Sequence, residues 1–296
     1  MELRVRSRST GHKGPVYALV EGPRPGTFLS GSGDGHVVLW SLDRPDDGEL
    51  LVNVGQPVFS ICLDPSHERL TIGTDSGSLH VIDLNDRKEV QLLQHQAKGL
   101  YAILPITGDR VICAGGDGTL AVYLGGAKLT LQRLIPMSEG KLRGLAVDAG
   151  GAYLAVACGD GTVRVLDTID LNEHHTLDAH EGGALCAAFH PTKPVLLTGG
   201  KDGHLRLWHA TEKHRALLAL PAHKATIYRV AFNADGTLCA TASRDKTAKL
   251  WDASSFAPLA RLDRTSGGHG HSVNALAWLG NTLLTGGDDR SILAWS

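Results

Sequence analysis

Short apolar runs alternate with glycine- and aspartate-rich turns along the whole chain, and no run lengthens into a helical pattern. The segment Ser30–Trp40 (SGSGDGHVVLW) shows the unit: small residues end one run, Asp34-Gly35 turns the chain, and Val37 and Leu39 alternate on the far side. An Asp-Gly pair between alternating runs signals a hairpin, because glycine adopts the positive φ that the turn requires. Six further segments share the shape, at Ile72–Ile82, Cys113–Tyr123, Val156–Leu166, Thr198–Trp208, Thr241–Trp251 and Thr285–Trp295. Their turn positions (Asp34, Ser76, Asp117, Asp160, Asp202, Asp245 and Asp289) recur at intervals of 41 to 44 residues. Another apolar stretch precedes each hairpin, starting at Val16, Val58, Leu100, Leu142, Ala184, Ile227 and Val273, and a more polar one follows, as in Glu49–Val54. Each period therefore predicts four short strands. A β-sandwich has short strands at similar spacing but no such period, whereas a radial stack of about four to eight four-stranded sheets has one.

The expectation is an all-β, seven-bladed β-propeller of four-stranded antiparallel blades that occupies residues 1–296 as one domain. The seventh unit reaches Ser296 one residue after its third strand, so its outer strand is expected from elsewhere in the chain. Residues 2–8, in which Leu3 and Val5 alternate with charges, stand where every other unit carries its outer strand. They are expected to complete the last blade and close the ring, which removes an open sheet edge.

Composition narrows the function. The 36 glycines among 296 residues suit many tight turns. A net charge of −2 gives no general attraction to nucleic acid or to anionic membrane, so neither is expected as a partner. The longest apolar run, Ala152–Cys158, falls far short of the roughly 18 residues that span a bilayer. Five cysteines (Cys62, Cys113, Cys158, Cys186, Cys239) lie far apart with no CxxC pair. That spacing predicts reduced, buried thiols and a cytoplasmic setting.

At this level of detail the chain resembles the WD-repeat β-propellers over its full length. Gly11-His12 precedes Trp40, Ala179-His180 precedes Trp208, Ala222-His223 precedes Trp251, and Gly268-His269 precedes Trp295. A complete Trp-Asp dipeptide stands at Trp251-Asp252, with echoes at Ile82-Asp83 and Leu166-Asp167. The resemblance implies four hydrogen-bonded tetrads: Trp40, Ser30, His12, Asp34; Trp208, Thr198, His180, Asp202; Trp251, Thr241, His223, Asp245; and Trp295, Thr285, His269, Asp289. Such a chain satisfies a buried indole, hydroxyl, imidazole and carboxylate together. The third repeat offers only His95, Asp117 and Tyr123, with Cys113 at the hydroxyl position. The second offers Ser76 and Ile82, the fourth Val156, Asp160 and Leu166, and these two blades are expected to rest on apolar packing.

A Ser/Thr, His and Asp set invites a catalytic reading. It recurs four times at the repeat period, always with a tryptophan, which marks a building unit rather than one active site. No catalytic residue is expected, and the chain reads as non-enzymatic. The histidines, His174 and His175 included, show no closed four-ligand spacing, so no metal is expected. Gly115–Gly118 (GGDG) reads as a hairpin turn rather than a phosphate cradle, and no cofactor is expected.

The resemblance also implies docking on the face that carries the turns between second and third strands. Transferred position by position, the inner ring is Tyr17, Phe59, Tyr101, Arg143, Leu185, Tyr228 and Asn274. Four of the chain's five tyrosines and five phenylalanines fall there, and aromatic and arginine side chains are what interface hot spots use. The residues before the turns add Asp75, Lys201, Arg244 and Asp288, and Lys141 flanks the inner strand of blade 4. Basic groups gather on blades 4 to 6. The expected function is a monomeric protein–protein interaction scaffold whose peptide or protein partner carries an acidic or phosphorylated group there. Two other classes remain open: a propeller hydrolase or lyase, or a small-ligand binder that uses the central channel.

Overall fold

The computed structural model describes residues 3–64, 66, 68–211 and 214–296. Seven four-stranded antiparallel sheets succeed one another along the chain. Blade 1 consists of Val16–Glu21, Thr27–Ser32, His36–Ser41 and Arg44–Asn53, in that order across the sheet. The inner strands of blades 2 to 7 are Val58–Leu63, Leu100–Ile106, Leu142–Val147, Ala184–Phe189, Ile227–Phe232 and Val273–Leu279. No helix among the described residues is long and apolar enough to cross a membrane.

Blade 7 closes the ring. Its outer strand is Val5–Ser9, which pairs with Ile292–Trp295 in the register Val5 to Trp295 and Ser9 to Ile292. The strand starts later than the sequence pattern suggested and runs one residue further, because pairing extends until Ile292 has found Ser9. Leu3 packs on the cluster between blades 6 and 7 without joining the strand, and Glu2 lies outside the described residues.

Each blade buries one face against each neighbour, and seven hydrophobic clusters fill the seven interfaces. Val16 and Trp40 meet Ala275 and Leu284 between blades 1 and 7, and Leu29 and Val37 meet Val58 and Ile72 between blades 1 and 2. The sheets approach so closely near the axis that a Cβ on Gly31 would lie 2.5 Å from Val58 Cγ1. No blade therefore owns a complete core, and the propeller is held by nearest-neighbour contacts.

Candidate functional site

In every blade the inner strand carries a β-bulge at its second residue. Val16 pairs with Ser32 and Ala18 with Gly31, so Tyr17 has no partner across the ladder. The same shift isolates Phe59, Tyr101, Arg143, Leu185, Tyr228 and Asn274. A bulge leaves one residue unpaired and re-aims its side chain. Repeated around the axis, it turns seven side chains into one channel mouth. All seven line a single cavity of about 320 Å³, together with Arg229 and Asp288.

The mouth is chemically two-sided. From blade 1 to blade 4 the side chains stack in sequence: Tyr17 meets Phe59 edge-on at 5.3 Å between centroids, and Phe59 lies parallel to Tyr101 at 5.1 Å. The Arg143 guanidinium covers the far face of this stack, 4.1 Å from the Tyr101 centroid. Lys141 donates to the Tyr101 hydroxyl at 3.2 Å. On the other side, Asn274 donates to Asp288 at 2.7 Å. Burial, followed by the Asp288 charge, raises the Tyr17 phenol above its ordinary value and keeps it a hydrogen-bond donor.

Of the basic groups expected on blades 4 to 6, Arg143 alone reaches this cavity. Lys201, Arg244 and Asp75 stand exposed on the turns outside it. The sequence reading missed Arg229. The residues that follow the seven bulges are Ala18, Ser60, Ala102, Gly144, Cys186, Arg229 and Ala275, and all seven line the narrower cavity beneath the mouth. Six are small because the strands converge there; a Cβ on Gly144 would sit 2.8 Å from the Leu185 carbonyl oxygen. Arg229 breaks the column and runs across the channel, donating to the carbonyls of Arg143 and Tyr101, both at 3.5 Å. A single large residue in a column of small ones was the available signal.

The tetrads fix the backbone that carries the bulges. In blade 1 the Trp40 indole donates to Ser30 Oγ at 2.8 Å, the Ser30 hydroxyl meets His12 Nε2 at 2.7 Å, and His12 Nδ1 meets Asp34 at 3.0 Å. With a neutral imidazole protonated on Nδ1, every donor in this chain has an acceptor. Protonating Nε2 as well would leave the serine hydroxyl without one. The sets on Trp208, Trp251 and Trp295 repeat the indole-to-threonine bond at 3.1, 3.1 and 3.0 Å. Their histidine-to-aspartate distances are 2.9, 3.0 and 2.8 Å. Burial alone would raise the Asp34 carboxyl, but the backbone N–H groups of Lys13 and His36 and the His12 ring outweigh it and hold it at about 2. Each histidine lies four residues before its inner strand, so the tetrad ties the segment entering the bulge to the turn beside it.

The other three blades use different polar links. In blade 3 Gln96, not His95, lies four residues before the inner strand, and it donates to the Thr119 carbonyl at 2.8 Å. His95 is exposed and bonds the Tyr123 hydroxyl at 3.1 Å. In blade 4 Ser138 donates to Asp160 at 2.9 Å. Blade 2 carries a network of Thr74, Ser76, Ser78, Gln56 and Gln94 beside the apolar packing expected there, in which Ile82 is buried in the cluster between blades 1 and 2. Hydroxyls and amides fill the role because these blades lack the buried indole that would need a tetrad.

The five cysteines are unpaired. Burial pushes the Cys62 thiol up to about 11 and those of Cys158 and Cys186 up to about 12, and it raises Cys113 and Cys239 as well. A thiol so shifted is protonated at neutral pH and is a poor nucleophile. Among the described residues no group of three or more His, Cys, Asp or Glu side chains is placed to hold a metal ion.

Known proteins carry the same frame. The family model for the WD domain, G-beta repeat, matches residues 4–41, 131–167, 171–209, 215–252 and 261–296. Each matched stretch starts near the outer strand of one blade and ends with the third strand of the next, as in the closure of blade 7. The nuclear distribution protein PAC1 of Coccidioides posadasii is 32% identical over 321 residues, covering 93% of this chain and 64% of that protein. THO complex subunit 3 of Arabidopsis thaliana is 25% identical over 246 residues, covering 79% and 75%. Telomerase protein component 1 of Rattus norvegicus is 23% identical over 286 residues, and the chain spans 10% of its length. With five matched repeats in a closed ring of seven blades, the chain belongs to the WD-repeat family.

Proposed function

We propose that this chain is a non-enzymatic scaffold that holds a peptide or protein partner against the channel mouth. The observation that carries the reading is the ring of seven bulges, which delivers aromatic and arginine side chains to one concave surface at no cost in loop ordering. Preorganised contact groups of this kind favour binding, because less conformational freedom is lost on association. Tyr17, Phe59, Tyr101, Leu185 and Tyr228 supply the contact area. Arg143, Lys141, Lys201 and Arg244 attract an acidic or phosphorylated group to blades 4 to 6, and Asp75 and Asp288 set the opposite polarity on blades 2 and 7. Two relatives named as a complex subunit and as a protein component support a role within an assembly. The chain acts as a single, monomeric propeller in the cytoplasm, where its thiols stay reduced.

Charge reversal tests the reading. The triple variant Arg143→Glu, Lys201→Glu, Arg244→Glu is expected to lose the proteins that wild type retains in affinity capture quantified by mass spectrometry. Asp235→Lys, on the opposite face, is expected to retain them. Equal recovery by the triple variant and wild type would overturn the proposal.

A further inference from the structure

Arg229 sits in the channel with no described carboxylate as its ion-pair partner, and the same holds for Arg143. The contacts that Arg229 makes, to the carbonyls of Arg143, Tyr228 and Tyr101, lie at 3.4 to 3.5 Å, the long limit of a hydrogen bond. Arg229 lines both the mouth cavity and the narrower cavity beneath it. The other six positions of its column carry no charge. Burial makes the charged form of Arg229 less favourable than in water, and the nearby Arg143 charge acts in the same direction. A half-buried cation that is weakly bonded and uncompensated is a poor structural element, because desolvation costs more than such contacts return. It is well suited to an anion that enters from outside, since the guanidinium presents a planar fork of donors.

Charge and size restrict that anion. Among the residues that line the mouth cavity, Arg143 and Arg229 against Asp288 leave one positive charge in excess, which a single carboxylate neutralises. A volume of about 320 Å³ admits a side chain rather than a folded element. The Tyr17–Phe59–Tyr101 stack extends the contact surface outward from the socket, which suits a side chain attached to a longer segment.

We propose that Arg143 and Arg229 form a carboxylate socket in the channel mouth that accepts one aspartate or glutamate side chain of a docked peptide segment. This rests on the mouth-face reading and adds to it the residue type that is recognised.

The test uses a random-sequence peptide library selected against immobilised wild type, Arg229→Met and Phe59→Ala proteins. Wild type is expected to enrich peptides with Asp or Glu at one fixed position. Changing that residue to Gln or Asn is expected to weaken binding about tenfold or more to wild type, the scale of a charge-assisted pair, and to change nothing with Arg229→Met. The Arg229→Met protein is expected to melt at or above the wild-type temperature, since it loses an uncompensated charge. A lower melting temperature would show Arg229 to be a brace for the Tyr101 and Arg143 carbonyls and would overturn the socket. So would enrichment without acidic preference, preference for phosphoserine, or an equal acid-to-amide penalty in both proteins. If binding then still fails with Phe59→Ala, the mouth-face reading survives the loss of the socket. A library that yields no binder overturns both readings. If glutarate nevertheless raises the wild-type melting temperature, the anion is a free carboxylate and not a peptide side chain.

Discussion

Thr198 is completely buried and bonded on both sides, accepting from the Trp208 indole at 3.1 Å and meeting His180 at 2.9 Å. Thr198→Val keeps the shape and removes both bonds, so it is expected to cost about 1–3 kcal/mol through the unsatisfied groups left behind. Urea denaturation measures this, with Thr198→Ser expected to recover most of the loss. The titration of the same groups has a definite sign. Burial holds His12, His180 and His223 below the ordinary histidine value of 6.5. It takes His214, packed beside His175, His174 and Tyr153, down to about 4. Each binds a proton less readily in the fold than in the unfolded chain, so its contribution is complete above pH 6.5 and is lost as pH falls through the folded value. Asp34 and Asp202, held at about 2 against an ordinary 3.8, extend the loss to lower pH. The melting temperature is therefore expected to hold level just above neutrality and to fall below pH 6.5, with a second decline below pH 4. A maximum under pH 5 would contradict this. The tetrads were legible in the sequence because their spacing repeats four times. Arg229 was not, because a single departure in one column has no second instance to mark it.

The hairpin is the element that repeats, and its turn chemistry is not uniform. Five blades place glycine after the turn residue, for example Gly35 at φ 83°, whereas blades 6 and 7 place Lys246 at φ 72° and Arg290 at φ 65°. A residue with a Cβ pays roughly 1–2 kcal/mol for that conformation. Lys246→Gly is expected to stabilise the protein by a fraction of that amount, since glycine also frees the unfolded chain. Equilibrium denaturation checks it, and a lower midpoint would contradict it. Removing residues 1–9 deletes the outer strand of blade 7 and exposes the edge of Ile292–Trp295. That variant is expected to melt lower and to self-associate in light scattering, because an open edge offers unpaired backbone groups. Strand count, turn positions and closure were readable at this scale from period and alternation. The bulges were not. Strict alternation would send Tyr17 and Ala18 to opposite faces, whereas the register shift turns both toward the channel, and that shift is set by how the inner strands converge.

At the scale of the whole ring, each blade depends on both neighbours, so the mouth is held rigidly from all sides. The fold was legible from the repeat alone, but the site was only partly so. Position-by-position transfer found the seven mouth residues, and it gave Lys201 and Arg244 the same standing as Arg143, although they stand outside the cavity. On the function proposed above, a partner docks on the mouth and not on the opposite face. A photo-crosslinking phenylalanine analogue placed at Tyr17 or Tyr228 replaces an aromatic residue with an aromatic one. Placed at Asp235, which is exposed on the turn between the first and second strands of blade 6, it reports on the other face. After irradiation in cells, both mouth positions are predicted to capture the same partner and Asp235 none. Capture from Asp235 with none from Tyr17 or Tyr228 would contradict the account.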